Sequence, residues 1–244
     1  MLEGVANVRD LGGLPAGGGT TRSAVLLRSA GLGELTEMGR SQLARMGVGT
    51  VVDLRTEAEG PADALPDVQV IRLPLLQGAW DLSGLADGPP TAQAPSAVPG
   101  LPDLYASMIA DGGATFARLA AVVANTTGAV LVHCTAGKDR TGIAVALLLD
   151  AVGTDRSAVV TDYAASHQQL RGAWADGMRA TLARMGIPDL PAINTLLTAS
   201  PAAAIESVLD ELDARGGALP YLRANGLSAS DAAALQTRLV EPAG

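Results

Sequence analysis

The chain has 244 residues, 48% of them hydrophobic, and its 17 basic against 25 acidic residues give a formal net charge of −8. A chain of this length buries a sizeable core in one large domain or in two. Its acidic balance argues against a nucleic-acid partner, which normally needs a basic surface. The single cysteine excludes an internal disulfide and fits a reducing compartment.

The sequence shows no targeting or membrane-spanning signal. No basic run followed by an apolar core is found at the N-terminus, and no segment approaches the roughly 18 apolar residues of a membrane helix. We therefore expect a cytoplasmic protein without integral membrane association. Leaderless export stays open, and the sequence does not give the oligomeric state.

The first part of the chain contains one strand signal after two polar segments. Residues 7–13 are too polar and Gly-rich for a core strand. The glycine run at residues 17–19 predicts a flexible loop, and the apolar residues 24–28 predict a strand.

A helix and two strands are predicted next. Thr36 is a suitable cap for a helix that ends near Met46, where Gly47 stops it. Residues 49–55 and 68–75 are apolar and β-branched, which predicts buried strands.

A long irregular loop is predicted over residues 78–102, which are crowded with Pro and Gly and have Trp80 as their one large anchor. Residues 104–110 favour a helix, and the pair Gly112-Gly113 interrupts it. A second helix over residues 114–124 then leads into the centre of the chain.

The central segment combines a strand, a tight loop and a helix. The apolar run Ala129–Val132 leads into the loop, and the apolar residues Ile143–Asp150 follow it. This order directs the first N–H groups of the helix, and the positive end of its dipole, at whatever lies over the loop. The segment therefore predicts an anion site.

The rest of the chain is helical. Helices are predicted over residues 157–169, 202–215 and 228–240. Ser157 is the expected cap of the first, and Ser228 or Ser230 that of the last. Strands that alternate with helices predict a three-layer α/β/α fold around a small, mostly parallel sheet, with a helical C-terminal portion from about residue 155.

The loop contains the only cysteine, and Arg140 follows Cys134 after five intervening residues. A loop of this length curls so that the sulfur lies beneath a bound phosphate while the guanidinium binds two of its oxygens. The donor-rich, cationic surroundings favour the thiolate, which is the nucleophilic form. The expected phosphate-binding residues are Thr135, Ala136, Gly137, Lys138, Asp139 and Arg140.

These groups predict a two-step phosphoryl transfer. Cys134 attacks the phosphorus, an acid protonates the departing oxygen, and water then hydrolyses the phosphocysteine. Thr141 is expected to donate its hydroxyl to the sulfur in the second step, and Lys138 to add a cation. The reaction needs no metal and no cofactor.

Three other interpretations of the loop make different demands on its residues. A lone cysteine is often a small buried hydrophobe, but its place before a Gly-Lys-Asp-Arg-Thr-Gly turn favours the nucleophile. A nucleotide-binding P-loop needs Gly at the position of Val132 and Ser or Thr at that of Asp139. A phosphate-binding pseudophosphatase that serves as an interaction module would usually lack the cysteine or the arginine, and this chain keeps both.

The segment H-C-T-A-G-K-D-R-T-G resembles the cysteine-based protein tyrosine phosphatases, whose mark is H-C-x5-R-[ST], and is most similar to their atypical bacterial branch. Further resemblances occur in the family's order and cover nearly the whole chain: Asn7–Gly13, Leu27–Ser29, Val52–Arg55, Asp162-Tyr163 and Tyr221–Arg223.

The resemblance implies one phosphatase domain over residues 1–244, with a helical lid at about 155–215. It implies phosphotyrosine proteins as substrates, with dual specificity and phosphoinositides as extensions; a lipid phosphatase is the alternative. It also implies that residues 7–13 lie behind the loop, and that Tyr105 and Met108 lie near the substrate.

The general acid has two candidates. The atypical branch has an Asp directly before the loop Arg, and Asp139 matches it; its alternative role is an ion pair with Lys138 or Arg140. Other relatives have the acid about thirty residues upstream, where Asp103 roughly fits.

Other polar residues have structural interpretations. His133 ends a buried strand and is expected to be a hydrogen-bonding scaffold, and His167 is expected on a solvated helix face rather than at a metal. Arg55 either faces a bound phosphate or pairs with Asp53 or Glu57.

Overall fold

The computed structural model describes residues 2–75, 101–186 and 197–243. Trp80 and most of the loop predicted around it lie outside the described residues, as do residues 187–196 of the predicted lid.

The centre of the fold is a five-stranded sheet. Its strands are β1 Arg9–Asp10, β4 Leu26–Ser29, β5 Val48–Asp53, β6 Gln69–Arg72 and β7 Ala129–His133. They lie side by side in the order β1-β4-β7-β5-β6; β1 pairs antiparallel with β4 at one edge, and all other neighbours are parallel. The predicted α/β class with a small, mostly parallel sheet is confirmed.

Alternation of side chains along the strands produces two cores, one on each face of the sheet. Leu26 and Val132 belong to one hydrophobic cluster, whereas Leu27 and Leu131 belong to the other. Successive residues of a strand point to opposite faces, so an apolar run buries both. Helix α1, Glu37–Arg45, covers one face, and helices from the rest of the chain cover the other, which gives three layers.

The remaining described α-helices lie after residue 100. Their bounds are α2 Leu101–Asp111, α3 Gly113–Asn125, α4 Asp139–Ala151, α5 Arg156–Gln169, α6 Ala173–Arg184, α7 Ala202–Ala214, α8 Ala218–Ala224 and α9 Ala229–Leu239. The larger cluster contains residues from Leu11 to Leu239, so the C-terminal helices pack onto the same core as the sheet. Within the described ranges no single helix is long and apolar enough to cross a membrane; α2 and α3, bent by 72°, pass that test only as a pair.

Two of the predicted caps are confirmed. Thr36 accepts a hydrogen bond from the N–H of Gly39 at the start of α1, and Ser228 accepts one from Asp231 at the start of α9. Each bond satisfies a helical N–H that has no partner within its helix.

The cap predicted at Ser157 is wrong. Helix α5 starts one residue earlier, at Arg156, and Asp155 is its N-cap residue. The N–H of Asp155 donates to the carbonyl of Pro15 at 2.8 Å. A contact with a distant segment therefore fixes this helix start, in place of a side-chain cap.

The glycine run is an ordered hairpin rather than the predicted flexible loop. Strands β2, Pro15–Ala16, and β3, Gly19–Thr21, pair antiparallel, and both glycines of the turn have positive φ. Two positive φ values in a two-residue turn match the twist of a hairpin and suit glycine. The C-terminal strand β8, Val240–Pro242, adds to β3 and forms a second sheet that was not predicted.

Candidate active site

Cys134 lies at the carboxyl end of β7, the middle strand of the central sheet, and α4 begins five residues later. Its side chain is buried. Gly137 has φ of +64°, and a Cβ there would lie 2.0 Å from the carbonyl oxygen of Ser29. The close turn therefore requires glycine, and it brings the N-terminus of α4 next to the sulfur.

The back of the loop is hydrogen bonded through its carbonyl groups. Asn7 Nδ2 donates to the carbonyls of Ala136 and Gly137, at 3.0 and 2.9 Å, and an Arg28 Nη donates to that of Gly137 at 2.7 Å. In a trans peptide the next N–H points opposite to the carbonyl. The N–H groups of Gly137 and Lys138 therefore point away from Asn7 and Arg28, as an anion cradle requires. Of the segment 7–13 that is expected behind the loop, Asn7 makes this contact.

A buried ion-pair network supports this side. Asp162 accepts from Arg9 and from Arg28, at 2.5 Å each, and the Arg28 side chain has no exposed surface. Burial alone raises the pKa of Asp162, but the charges and hydrogen bonds of the two arginines hold it below its ordinary value. The same burial, with the charge of Arg28, lowers the pKa of Arg9 to about 10.

The front of the loop has a carboxylate that the sequence analysis missed. Both Nη atoms of Arg140 donate to Glu59, at 2.5 and 2.7 Å, and the Thr135 hydroxyl donates to it at 2.6 Å. Burial raises the pKa of Glu59, but its bonds to Arg140, Thr135 and the Thr56 N–H bring it down to about 2. Burial likewise lowers the pKa of Arg140, and Glu59 and Cys134 more than offset this and raise it.

The contact with Glu59 orients the Arg140 guanidinium but does not take all of its N–H donors. An arginine has five N–H donors in a fixed plane, and Glu59 takes two. The Nη atoms also donate to the Leu54 carbonyl and the Thr135 hydroxyl, both at 3.5 Å. The Nε–H takes part in none of these four bonds, and the two long ones are weak enough for the oxygens of an anion to replace them. The only local signal for Glu59 is its place three residues after Thr56, a capping-box spacing that the structure shows at the 3₁₀ turn Glu57–Glu59.

Asp139, the first residue of α4, is buried and hydrogen bonded. The Tyr105 hydroxyl donates to its Oδ1 at 2.5 Å, and the Tyr163 hydroxyl lies 2.6 Å from that of Tyr105. Lys138 Nζ lies 3.4 Å from the same oxygen and donates to the carbonyl of Ala199 at 2.7 Å. The alternative role predicted for Asp139, an ion pair with Lys138, is thus present in the structure.

A model of the tyrosine phosphatase family matches residues 1–241 of the chain. The chain belongs to the tyrosine phosphatase family. It is 30% identical over 228 residues to a putative tyrosine-protein phosphatase of Cupriavidus necator, covering 91% of this chain and 82% of that protein. It is 31% identical over 201 residues to the triple specificity protein phosphatase PtpB of Mycobacterium tuberculosis, covering 69% of each.

A third relative is matched over a shorter length. A tyrosine-protein phosphatase of Nostoc commune is 36% identical over 154 residues, which are 60% of this chain. The match spans about half of that relative, 49% of its length.

The structure distinguishes the two acids proposed for this phosphatase loop. Asp103 is exposed on the first turn of α2, whereas Tyr105, two residues later, contacts Asp139. Met108 is buried in the larger hydrophobic core, which its alternative interpretation anticipated. Tyr105 contacts the loop segment through Asp139.

His133 has a structural role at the base of the tyrosine phosphatase loop. Its Nδ1 lies 3.2 Å from the carbonyl of Cys134, and a carbonyl can only accept, so this nitrogen carries a proton. Burial lowers the pKa of His133, against the charges of Asp53 and Asp63. Both oxygens of Asp53 accept from Arg55, which confirms one alternative predicted for Arg55. Asp53, Asp63 and His133 lie close together, but Arg55 already pairs with both acids, so the group is an ion-pair network.

The structure gives the surroundings of two further residues for which the sequence predicted a role. The hydroxyl of Thr141 is buried and has no hydrogen-bond partner among the described residues, so the structure does not contain the predicted bond to the Cys134 sulfur. His167 is exposed on α5, and its Nδ1 lies 3.0 Å from the carbonyl of Thr198. The interpretation of His167 as a solvated helix residue agrees with this position.

Proposed function

We propose that this chain hydrolyses phosphate monoesters through a phosphocysteine on Cys134, with phosphotyrosine as the leading substrate. The observation that carries the proposal is the loop itself. Cys134 follows the middle strand, the carbonyls behind the loop are bound by Asn7 and Arg28, and Arg140 is oriented from the front by Glu59. Membership of the tyrosine phosphatase family supports the reaction class.

In the first step the Cys134 thiolate attacks phosphorus as the bond to the leaving oxygen breaks. Loop N–H groups and Arg140 stabilise the charge on the other phosphate oxygens, and Asp139 gives its proton to the leaving oxygen. In the second step a water oxygen attacks phosphorus, Asp139 takes the proton from this water, and the sulfur leaves as a thiolate.

The substrate class rests on the relatives. Three are named as tyrosine-protein or triple specificity protein phosphatases, which supports phosphotyrosine first and a broader specificity second. Phosphoinositides are the second candidate, because Lys138 supplies a cation beside Asp139. Turnover of a phosphotyrosine peptide and of a phosphoinositide, in wild type and Lys138→Met, separates the two: a lipid role predicts that only lipid turnover falls.

We also propose that residues 1–244 form one domain in which residues 155–215 shield the loop. Two contacts support this: Lys138 donates to the carbonyl of Ala199, and Tyr163 bonds Tyr105 next to Asp139. Vanadate bound in the loop should slow proteolysis within residues 155–215. Cleavage at an unchanged rate, with vanadate shown to be bound, contradicts the shielding role.

The direct test of the nucleophile is Cys134→Ser. Turnover of phosphotyrosine peptide and of p-nitrophenyl phosphate should vanish, while phosphate binding and the circular dichroism spectrum stay those of wild type. Turnover retained by this variant removes the assignment. A wild type that binds phosphate and turns over neither compound favours the pseudophosphatase.

The acid is tested with two leaving groups. Asp139→Asn should slow hydrolysis of phenyl phosphate, a poor leaving group, far more than that of p-nitrophenyl phosphate, because only the poor one needs protonation. Asp103→Asn, the matched control, should change neither. The opposite pattern moves the role to Asp103.

A further inference from the structure

We propose that Tyr105, held by Tyr163, is a positioning residue that fixes which oxygen of Asp139 carries the catalytic proton. The proposal rests on the proposed function, since it takes Asp139 as the general acid. It also gives a role to Tyr163 of the Asp162-Tyr163 pair, which the sequence analysis noted without explaining.

The two tyrosine hydroxyls form a short, buried chain that ends on Asp139. The distances are 2.5 Å from Tyr105 to Oδ1 of Asp139 and 2.6 Å between the hydroxyls, and the rings meet edge-to-face with centroids 6.3 Å apart. Burial, followed by the charge of Asp139, raises the pKa of both phenols well above the ordinary value. Each phenol therefore keeps its one proton at every working pH.

The proton count sets the direction of this chain. Because Tyr105 gives its only proton to Asp139, Tyr163 must be the donor in the bond between the two tyrosines. Oδ1 of Asp139 is thus held by Tyr105, and Lys138 Nζ lies 3.4 Å from the same atom. Oδ2 is left to carry the proton to the leaving oxygen. A hydrogen bond to a charged acceptor is stronger than one to a neutral acceptor, so Tyr105 stabilises the carboxylate more than the acid.

A glycine in α4 leaves the space that Tyr163 needs to reach Tyr105. A Cβ at Gly142, in the first turn of α4, would lie 2.8 Å from Cδ2 of the Tyr163 ring. The glycine of the Arg-Thr-Gly segment therefore permits the close approach of the ring. The neighbouring Asp162 binds Arg9 and Arg28 behind the loop, so one turn of α5 supports both the cradle and the acid.

Charged groups face Asp139 from several elements. Lys138 and Arg140 are on its own segment, Tyr105 comes from α2, and Tyr163 from α5. Two further charges act on Asp139 only indirectly: Glu59 pairs with Arg140, and Arg28 faces Tyr163. A change of tyrosine to phenylalanine removes one hydroxyl and leaves Lys138, Arg140 and Arg28 unchanged. Comparing such a variant with wild type therefore isolates the effect of the hydrogen bond.

The test is the pH dependence of kcat and KM for Tyr105→Phe and Tyr163→Phe on phenyl phosphate and p-nitrophenyl phosphate. For phenyl phosphate, Tyr105→Phe should lower kcat about tenfold, with KM within about twofold, and move the basic limb about one unit to higher pH. The limb moves up because the carboxylate loses a donor and the protonated acid persists. Hydrolysis of p-nitrophenyl phosphate should fall much less, because its leaving group needs no acid and Asp139 then acts only as the base of the second step. Tyr163→Phe should give the same pattern at smaller size.

Tyr221→Phe is the matched control. Its hydroxyl is also buried and donates to a carbonyl, that of Ile109, at 2.7 Å, with no bond to Asp139. This variant should leave the limb in place. Equal losses on both substrates with an unmoved limb for Tyr105→Phe overturn the proposal. If Asp139→Asn spares phenyl phosphate, the acid assignment itself fails, which is a different result.

Discussion

The two sides of the Cys134 loop are held by different kinds of contact. Behind the loop, Asp162 and Arg28 form an ion pair whose side chains are 7% and 0% exposed. In front, Glu59 and Arg140 pair with side chains that are 22% and 5% exposed. Water therefore reaches the carboxylate in front more readily than the one behind.

The two sides of the loop therefore have different roles: the groups behind it support the loop, and the groups in front act in the reaction. The groups behind the loop bind backbone carbonyls and one another, so their loss leaves buried charges without partners. The groups in front orient the one guanidinium that is to contact substrate. We therefore expect changes in front to act mainly on turnover, and changes behind to act mainly on stability.

The largest expected effect is on turnover, from Arg140→Lys in front. Lysine keeps the charge but lacks the planar fork that Glu59 orients and that binds two phosphate oxygens. We expect kcat/KM for a phosphotyrosine peptide to fall about a thousandfold or more. A variant within about tenfold of wild type contradicts the role of the fork.

The next effect is on stability, from Asp162→Asn behind. The buried Arg28 and the partly buried Arg9 lose their counter-charge, so the free energy of unfolding in urea should fall by about 3–5 kcal/mol. Because the pKa of Asp162 is depressed in the fold, its contribution is present at neutral pH and is lost as the pH falls below the unfolded value.

The matched control is Asp210→Asn, which breaks an exposed pair with Arg156. It should cost less than about 1 kcal/mol. Equal losses for the two variants contradict the distinction between buried and exposed pairs.

The smallest effect comes from Glu59→Gln in front, which keeps the shape but weakens the hold on Arg140. We expect kcat/KM to fall about tenfold. The pKa of Glu59 is lowered from 4.5 to about 2, so its stabilisation is complete above 4.5 and is lost as the pH falls toward 2. The difference in unfolding free energy between wild type and variant should be constant down to about pH 5 and then shrink. A rise in kcat/KM would show that Glu59 competes with phosphate.

Local patterns sufficed for the parts of the fold that local contacts decide. The caps at Thr36 and Ser228 use side chains three residues from their partners, and the central strand, loop and helix are contiguous. The loop motif also indicated the family, which the match over residues 1–241 confirms.

Contacts across long sequence separations were not predictable in the same way. Glu59 meets Arg140 over 81 residues, and the hairpin at Gly17 pairs through Thr20 with Glu241 near the other end of the chain. Apart from its capping-box position three residues after Thr56, nothing in the residues around Glu59 distinguishes it from neighbouring acids such as Glu57. The start of α5 was misplaced for the same reason, since a carbonyl from β2 fixes it.

The most direct measurement is to trap the covalent intermediate. Wild type would be mixed with a phosphotyrosine peptide carrying radiolabelled phosphate, quenched within one turnover, digested and mapped by mass spectrometry. The account predicts label on the Cys134 sulfur of wild type and none at that position in Cys134→Ser. Turnover at the wild-type rate with label on another residue, or with none on Cys134, contradicts it.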